Sequence, residues 1–155
     1  MNMKNSSIQV QFTIGTEIDY LDAHIKFISD ENDDSVILLE TNVNHQSKAE
    51  PHVLPYIYDQ PSNMMYSKLI RTASIRAALC CSDIYEFQQE RQCIELSFII
   101  NHFPVAFIRE HVTVFFLEFN MNEFDDNMYN QNNYNELRDN VIQYNRKCIQ
   151  KKLLE

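Results

Sequence analysis

The sequence predicts an α+β protein in which a small antiparallel β-hairpin or sheet precedes a three-helix bundle. Apolar and polar residues alternate over residues 8–14, which is the period of a half-buried strand, and two further strand-like runs extend to Val43. Three apolar-periodic segments between Met64 and Phe119 are then separated by Ser82-Asp83 and by residues 101–104. Beyond Phe119 the chain becomes rich in asparagine, so we expect an irregular tail that ends in one more helix.

The N-terminal third is interpreted as strands. Residues 8–14 alternate and end at Gly15-Thr16, which has the composition of a turn. A second run spans Ile18 to Ile28, and Val36 to Val43 resembles its antiparallel partner. The polar, acidic residues Asp30 to Asp34 are predicted to form the tip of this hairpin.

A connector with three prolines, at positions 51, 55 and 61, follows the strands. Proline fixes φ and favours an extended residue before it, so we expect an ordered, irregular segment rather than a helix. Its aromatic residues are predicted to pack on the body.

Helix one is predicted from Asn63 to Cys81, with Ser62 as its N-cap. Helix two is predicted to begin after Ser82. Its apolar stripe is interrupted by Arg91, whose long stem can lie along the stripe. The predicted apolar faces are Met65, Leu69, Ala73 and Ala77 on helix one, and Ile84, Phe87, Arg91, Ile94 and Phe98 on helix two.

Helix three is predicted to open with Pro104 at its first position, where the missing N–H costs nothing. The short turn Asn101 to Phe103 can hold two helices at a steep angle, which indicates a helix-turn-helix. The apolar residues of helix three are Phe107, Ile108, Val112, Phe115, Phe116 and Phe119.

The tail has two parts. Residues Asn120 to Asn135 hold seven asparagines and few aliphatic residues, so we expect them to bury too little surface to fold. A terminal amphipathic helix is indicated by Leu137, Val141, Tyr144 and Cys148. The predicted divisions are 1–60 for the hairpin and connector, 61–119 for the helix-turn-helix unit, and 120–155 for the linker and terminal helix.

Composition excludes several classes of protein. The chain has 155 residues and a single glycine, Gly15, whereas phosphate-binding loops need several glycines. It shows neither a basic leader followed by an apolar run nor an apolar stretch of about 20 residues, so we expect an intracellular protein of the nucleus or cytoplasm, without a membrane partner. The four cysteines lack metal-binding spacing and are interpreted as reduced thiols.

The net charge of −9 opposes autonomous binding to nucleic acid, because such binding is driven by clusters of lysine and arginine. Residues 1–60 carry three bases against ten acids, whereas 61–119 and 120–155 each carry five bases against six acids. Any contact with nucleic acid must therefore be local.

The order of these pieces resembles the C-terminal end of a reverse transcriptase of the Penelope-like and related retroelement kind. Residues 18–22 resemble the family strand I-x-F-L-D, and residues 39–43 its return strand L-x-T-x-V. In the helical part the matching motifs are R-A, F-x-x-E-R and N-G-Y-P-x-x-F-I. Their counterparts are Arg76-Ala77, residues 87–91, and Asn101-His102-Phe103-Pro104 followed by Phe107-Ile108.

This resemblance covers roughly residues 15–116 and implies a thumb-like or helix-turn-helix accessory module. The polymerase chemistry of the family needs paired carboxylates that hold two metal ions, and these would lie upstream of Met1. The resemblance thus implies no catalytic residue and no cofactor in this chain. The chain departs from the family at His102, where the family has glycine, and at Gln46 and Gln60, where it has basic or histidine residues.

Other candidate sites are weaker. Phe124-Asp125-Asp126 and Asp33-Asp34 are interpreted as solvated acidic segments rather than metal pairs. The five histidines lack zinc spacing, and Cys93 with His102 offers a nucleophile and base without a positioned third group. His102 is expected to cap the turn.

Five basic residues are the candidate nucleic-acid-binding site. Two interpretations of these residues are open: they contact phosphates along a duplex, or they pair with glutamates at helical spacing. They are Lys68, Arg71, Arg76, Arg91 and Arg109. We expect weak binding of an RNA–DNA or DNA duplex. The alternative is a protein-interaction module whose apolar helix faces dock on the rest of a polymerase or on another protein.

Overall fold

The structure is a computed structural model, and it describes residues 15–30, 33–45, 55–57, 63–121 and 130–154. A three-stranded sheet comes first and four helices follow, which confirms the α+β prediction. The strands are β1 (Glu17–Tyr20), β2 (Ala23–Asp30) and β3 (Asp33–Val43), and the helices are α1 (Asn63–Cys80), α2 (Ile84–Ile100), α3 (Val105–Glu118) and α4 (Gln131–Leu153).

The sheet is antiparallel with the order β1-β2-β3. Strands β2 and β3 form the predicted hairpin, whose tip lies between Asp30 and Asp33. The prediction of one run from Ile18 to Ile28 was wrong, because the chain reverses between β1 and β2. Leu21, the first residue after β1, has a φ of 53°, in the left-handed region, and the strand therefore does not continue through it.

Three predictions fall on residues outside the described ranges. They are the strand at 8–14, the N-cap Ser62 and most of the connector. Within the described residues 55–57, Tyr56 packs against Tyr66, Phe103 and Phe107, with ring centroids 5.1, 5.1 and 5.6 Å away. The connector therefore does contact the helical body at this aromatic residue, as expected.

Helix α1 has the predicted extent to within one residue, but the predicted face was displaced. Met65 is 43% exposed, and Leu69 and Ala73 are only half-buried. The error arose because Met64, Met65 and Tyr66 are consecutive and apolar, so the stripe could start at any of them. The buried face of α1 is Tyr66, Ile70, Ser74, Ala77 and Ala78.

Helix α2 buries the face that the sequence predicts, since Ile84, Phe87 and Phe98 are at most 3% exposed. Asp83 is the N-cap, and its Oδ1 accepts hydrogen bonds from the backbone N–H groups of Tyr85 and Glu86 at 2.7 and 3.1 Å. This cap separates α2 from α1 at the predicted Ser82-Asp83 junction.

Helix α3 begins one residue later than predicted. Pro104 occupies the N-cap position with φ −61° and ψ 133°, so the first helical residue is Val105. The extended ψ of Pro104 explains the difference. The predicted apolar face is confirmed, because Ile108, Val112, Phe115, Phe116 and Phe119 are all at most 4% exposed and Phe107 packs against them.

Helix α4 starts inside the asparagine-rich segment, so the expectation that 120–135 would not fold was wrong for its last residues. Asn130 is the N-cap and accepts a hydrogen bond from the N–H of Asn132 at 2.9 Å. Tyr134 is 1% exposed and donates its hydroxyl hydrogen to the carbonyl of Cys81 at 2.7 Å. Asparagine thus supplies a cap here, and one tyrosine supplies the burial that composition alone did not show.

The four helices share one core. It includes residues from every helix, among them Ile70, Phe87, Phe115 and Leu137. Among the sheet residues whose burial is described, Val43 at the end of β3 joins this core and is 6% exposed. There the N–H of Ser82 donates to the carbonyl of Thr41 at 2.7 Å, and the N–H of Thr41 donates to the Ser82 hydroxyl at 2.9 Å.

Candidate nucleic-acid interface

The turn between α2 and α3 is fixed by backbone hydrogen bonds and by aromatic packing. The N–H of Phe103 donates to the carbonyl of Phe98 at 3.1 Å, and the two rings meet edge to face at 4.9 Å. The N–H of His102 donates to Ile99 at 3.0 Å, and the φ of His102 is 66°. His102 therefore lies within the turn, as expected, in a backbone conformation that glycine adopts at least cost.

An aromatic cluster supports the turn from the side of α1. Tyr66 contacts Phe103 edge to face at 5.2 Å, and its hydroxyl donates to the carbonyl of Pro55 at 3.3 Å. The N–H of Tyr56 donates to the carbonyl of Asn101 at 3.0 Å. Because α1, the connector and the turn hold one another, the angle between α2 and α3 is set by packing rather than by the turn alone.

Helix α3 presents an outer face with one basic residue. Its exposed residues are Val105, Ala106, Arg109, Glu110, Val114, Leu117 and Glu118. In a helix-turn-helix the second helix of the motif lies in the major groove and reads base edges with hydrogen-bonding side chains. Arg109 is the single basic residue on this face, so the geometry is poorly equipped for sequence-specific reading.

Arg71 is held in a pair that crosses from α1 to the end of α3. Its Nε and Nη2 donate to the two carboxylate oxygens of Glu118 at 2.7 and 2.6 Å. Its guanidinium also lies 4.9 Å from the ring centre of Tyr144. The hydrogen bond to Glu118 raises the pKa of Arg71 above its usual range, and this residue serves the packing of α1, α3 and α4.

Arg91 and Arg76 also lie beside acceptors. Arg91 donates from Nε to Gln88 at 2.8 Å and forms an ion pair with Glu95 one turn further along α2. Arg76 lies 3.7 Å from the carboxylate of Asp22 in the β1–β2 turn. Lys68 and Arg109 are exposed, and within the described residues neither forms an ion pair.

Three of the five candidate residues thus have acidic partners within the protein. Arg71 joins α1 to α3 and α4, Arg91 is paired along α2, and Arg76 faces the sheet. The glutamate pairing at helical spacing that competes with phosphate contact is found at Arg91 with Glu95, whereas Arg71 pairs with the distant Glu118.

The remaining sequence candidates are dispersed. His24 lies 2.6 Å from Asp19 and His45 lies 2.5 Å from Glu90, while the His111 ring packs on Phe107 at 4.2 Å. Cys93 and His102 are both exposed, with no hydrogen bond between them. His52 and Phe124-Asp125-Asp126 lie outside the described residues. Asp33 and Asp34 belong to β3, and the structure describes their backbone only.

The fold brings together two groups of charges that sequence reasoning missed. The carboxylates of Glu40, Asp83 and Glu86 lie within 4.8 Å of one another where β3 meets the start of α2. Asp83 is already engaged as the helix cap. No spacing in the sequence indicates this cluster, because it depends on how the sheet docks.

The second group lies on α4. Its C-terminal half carries Arg146, Lys147, Lys151 and Lys152, all exposed, and the stretch from Asn140 to Leu154 contains no acid. The charge count over 120–155 concealed this group, since all six acids of that region lie outside the stretch.

Comparison with known proteins identifies the helical region. The family model described as the animal helix-turn-helix domain matches residues 52–113, which include α1, α2 and most of α3. No curated protein and no solved structure matches the chain. Among the described residues, none of the helices is both long and apolar enough to cross a bilayer. The chain thus contains a helix-turn-helix region, which suggests a DNA-binding module.

Proposed function

We propose that this chain is a non-catalytic nucleic-acid-binding module that contacts a duplex through its helix-turn-helix region. The observation that carries the proposal is the family match over 52–113, since the three helices in that region share one core around a fixed turn. The module holds a polymer while another polypeptide performs any chemistry.

We further propose that the module derives from the C-terminal part of a retroelement reverse transcriptase, where it acts as a thumb. The order of the sheet, connector and helices supports this origin, as does the conformation of His102. Its φ of 66° occurs at the position where the family motif N-G-Y-P has glycine. The chain retains the backbone geometry for which that glycine is suited.

Binding by this module is weak and independent of sequence. Helix α3 offers one exposed arginine, and the net charge of −9 repels a polyanion at long range. Nonspecific contacts with phosphates give dissociation constants of roughly 1–100 µM at physiological salt. We place this protein at the weak end of that range.

Fluorescence anisotropy with a labelled RNA–DNA hybrid and with a DNA duplex of the same length tests the proposal. The intact chain should bind both at tens of micromolar in low salt, and the affinity should fall as salt is raised. Arg109→Gln should weaken binding several-fold, whereas Lys26→Gln on the sheet should not. Absence of binding to either duplex at about 100 µM would exclude the proposal.

A second candidate function is a protein-interaction module, favoured by the sheet. Residues paired across antiparallel strands point to the same face, so Ile18, Ile25, Phe27 and Leu39 share one side with Tyr20. Of these, Ile18, Tyr20, Phe27 and Leu39 are 45–63% exposed. The helix faces predicted to dock are instead mostly buried in the protein's own core. Stable oligomers without duplex binding, seen by light scattering, would favour this second function.

A further inference from the structure

The C-terminal half of α4 carries a concentrated positive charge on an otherwise acidic chain. Arg146, Lys147, Lys151 and Lys152 fall within seven residues, and no acid occurs between Asn140 and Leu154. All four side chains are exposed, and within the described part of the chain none forms an ion pair. These charges are therefore available to an external partner.

Stabilisation of the helix itself accounts for only part of this group. Lysines in the last turn of a helix interact favourably with its dipole, and Lys151 and Lys152 occupy that turn. The dipole effect falls off within one turn, so it does not extend to Arg146 and Lys147. The helix also leaves the core here, since Val141 is its last buried residue.

Two contacts show that α4 runs antiparallel to α1. The hydroxyl of Tyr134 bonds the carbonyl of Cys81, and ten residues later Tyr144 contacts Arg71, ten residues earlier on α1. Both helices rise about 1.5 Å per residue, so Lys147 comes level with Lys68 to within about one turn. Lys68 is exposed as well, and the first turn of α1 contains no acid.

The same end of the bundle contains the turn of the helix-turn-helix. Tyr66, two residues before Lys68, packs on Phe103, and Val105 starts α3 two residues after Phe103. In helix-turn-helix complexes the N-terminal residues of the second helix approach the bases, while neighbouring elements contact the backbone. Measured along α1, the charges on α4 are level with Tyr66 and the turn before α3, while Tyr144 of α4 packs on Phe119 at the end of α3 at 5.6 Å.

We propose that Lys68, Arg146, Lys147, Lys151 and Lys152, termed the basic end, form the phosphate-binding surface that holds the backbone of a duplex. This inference rests on the proposed function and assigns most of its phosphate contacts to α4, beside those of the helix-turn-helix region. It also accounts for how an acidic chain can bind a polyanion, because four of these positive charges are close together in a stretch of α4 that contains no acid.

Salt dependence measures such contacts directly. Each phosphate that a lysine or arginine neutralises contributes about 0.9 to the slope of log K against log salt. The triple variant R146Q/K147Q/K151Q should therefore lower the slope by up to about 2.7 and weaken binding at least about 10-fold at ~50 mM salt. Glutamine has a helix propensity close to that of lysine and arginine and removes the charge.

The matched control is K4Q/K26Q/K48Q, which removes the same three positive charges from residues 1–60. Both variants and the unmodified chain are titrated by anisotropy against the same duplex from about 50 to 200 mM salt. Circular dichroism checks that the helical content of all three proteins is equal. The inference is supported if the α4 variant loses affinity and slope while the control retains both.

Other outcomes overturn the inference in distinguishable ways. If the unmodified chain binds and the α4 variant binds equally well, the basic end is rejected while the proposed function stands. Equal losses in both triple variants would mean that net charge alone acts. No duplex binding by the unmodified chain rejects both proposals. Binding to phosphatidylserine vesicles in that case would assign the basic end to a membrane surface instead.

Discussion

The helical bundle and the sheet differ in how completely they bury their apolar residues. In the bundle, Phe87, Phe115 and Leu137 are at most 1% exposed, whereas Phe27 and Leu39 on the sheet are 45% and 54% exposed. Nearly all the fully buried apolar residues of the described chain therefore belong to the bundle. The sheet depends on its attachment at the end of β3 and leaves one apolar face open, which indicates that stability resides in the bundle.

The largest difference between the two regions should appear when one phenylalanine is truncated in each. Phe87→Ala removes ring contacts with Tyr134 at 4.9 Å and Phe116 at 6.3 Å, and should cost about 3–5 kcal/mol. Phe27→Ala on the sheet should cost less than about 1 kcal/mol. Urea unfolding followed by circular dichroism measures both. Equal costs would contradict the view that the bundle carries the stability.

Alkaline pH should also act on the bundle. Burial, followed by the charge of Glu90, raises the pKa of Cys81 from 9.0 to about 12, and burial raises the pKa of Tyr134. Between the two Cys81 values, pH 9 and about pH 12, only the unfolded chain loses the Cys81 proton. The contribution of Cys81 to stability is therefore constant below pH 9 and falls above it. The loss should be about 1.4 kcal/mol per pH unit, with a further contribution from Tyr134 above pH 10.

Urea midpoints measured from pH 8 to pH 11 would record this decline. Cys81→Ala should flatten the slope between pH 9 and pH 10, where Cys81 is the main titrating group of this pair. A variant with the same slope as the unmodified chain would show that Cys81 does not control the alkaline transition.

A smaller loss of stability is expected at the contact between the sheet and the bundle. Ser82→Ala removes the hydroxyl that accepts the N–H of Thr41 and should cost the sheet about 1 kcal/mol. Hydrogen exchange should become several-fold faster for the amides of β2 and β3, with little change in the bundle. Ser97→Ala, whose hydroxyl bonds Cys93 within α2, is the control and should leave the sheet unaffected. Uniformly faster exchange would mean that the two regions open together.

The smallest expected effect concerns two of the three residues with left-handed φ, His102 in the bundle and Leu21 in the sheet. His102→Gly should stabilise the bundle by about 0.5 kcal/mol, because glycine avoids the steric cost of φ 66° at some entropic expense. Leu21→Gly relieves the same strain at φ 53° in the sheet. The urea midpoint should rise for the first variant and stay constant for the second. A rise in the urea midpoint for Leu21→Gly alone would mean that the sheet, and not the bundle, limits stability.

The sequence predicted most of the bundle because its apolar residues recur with the period of a helix. Ile84, Phe98 and Phe115 enter one core with Phe107 against it, as the stripes of helices two and three required. The buried face of helix one was predicted wrongly, because three apolar residues are adjacent at its start and the stripe could begin at any of them. The start of α4 was missed because asparagine was interpreted by its composition and not as a helix cap.

The candidate interface was less accessible to sequence reasoning. Arg71 and Glu118 are 47 residues apart, so no local pattern indicates that they pair. The basic end likewise requires knowledge that α4 lies antiparallel to α1. Charges within one helix can be compared from the sequence, but the neutralisation of charges across helices depends on tertiary packing.

The reciprocal hydrogen bonds between Thr41 and Ser82 attach the hairpin to the link between α1 and α2. The segment of β3 from Thr41 to Asp33 has a length of roughly 26 Å at about 3.3 Å per residue. A rotation of the hairpin by about 10° about Thr41 would thus displace its tip by roughly 4 Å. A fluorophore at the hairpin tip would magnify small changes in the angle between α1 and α2 into a measurable signal.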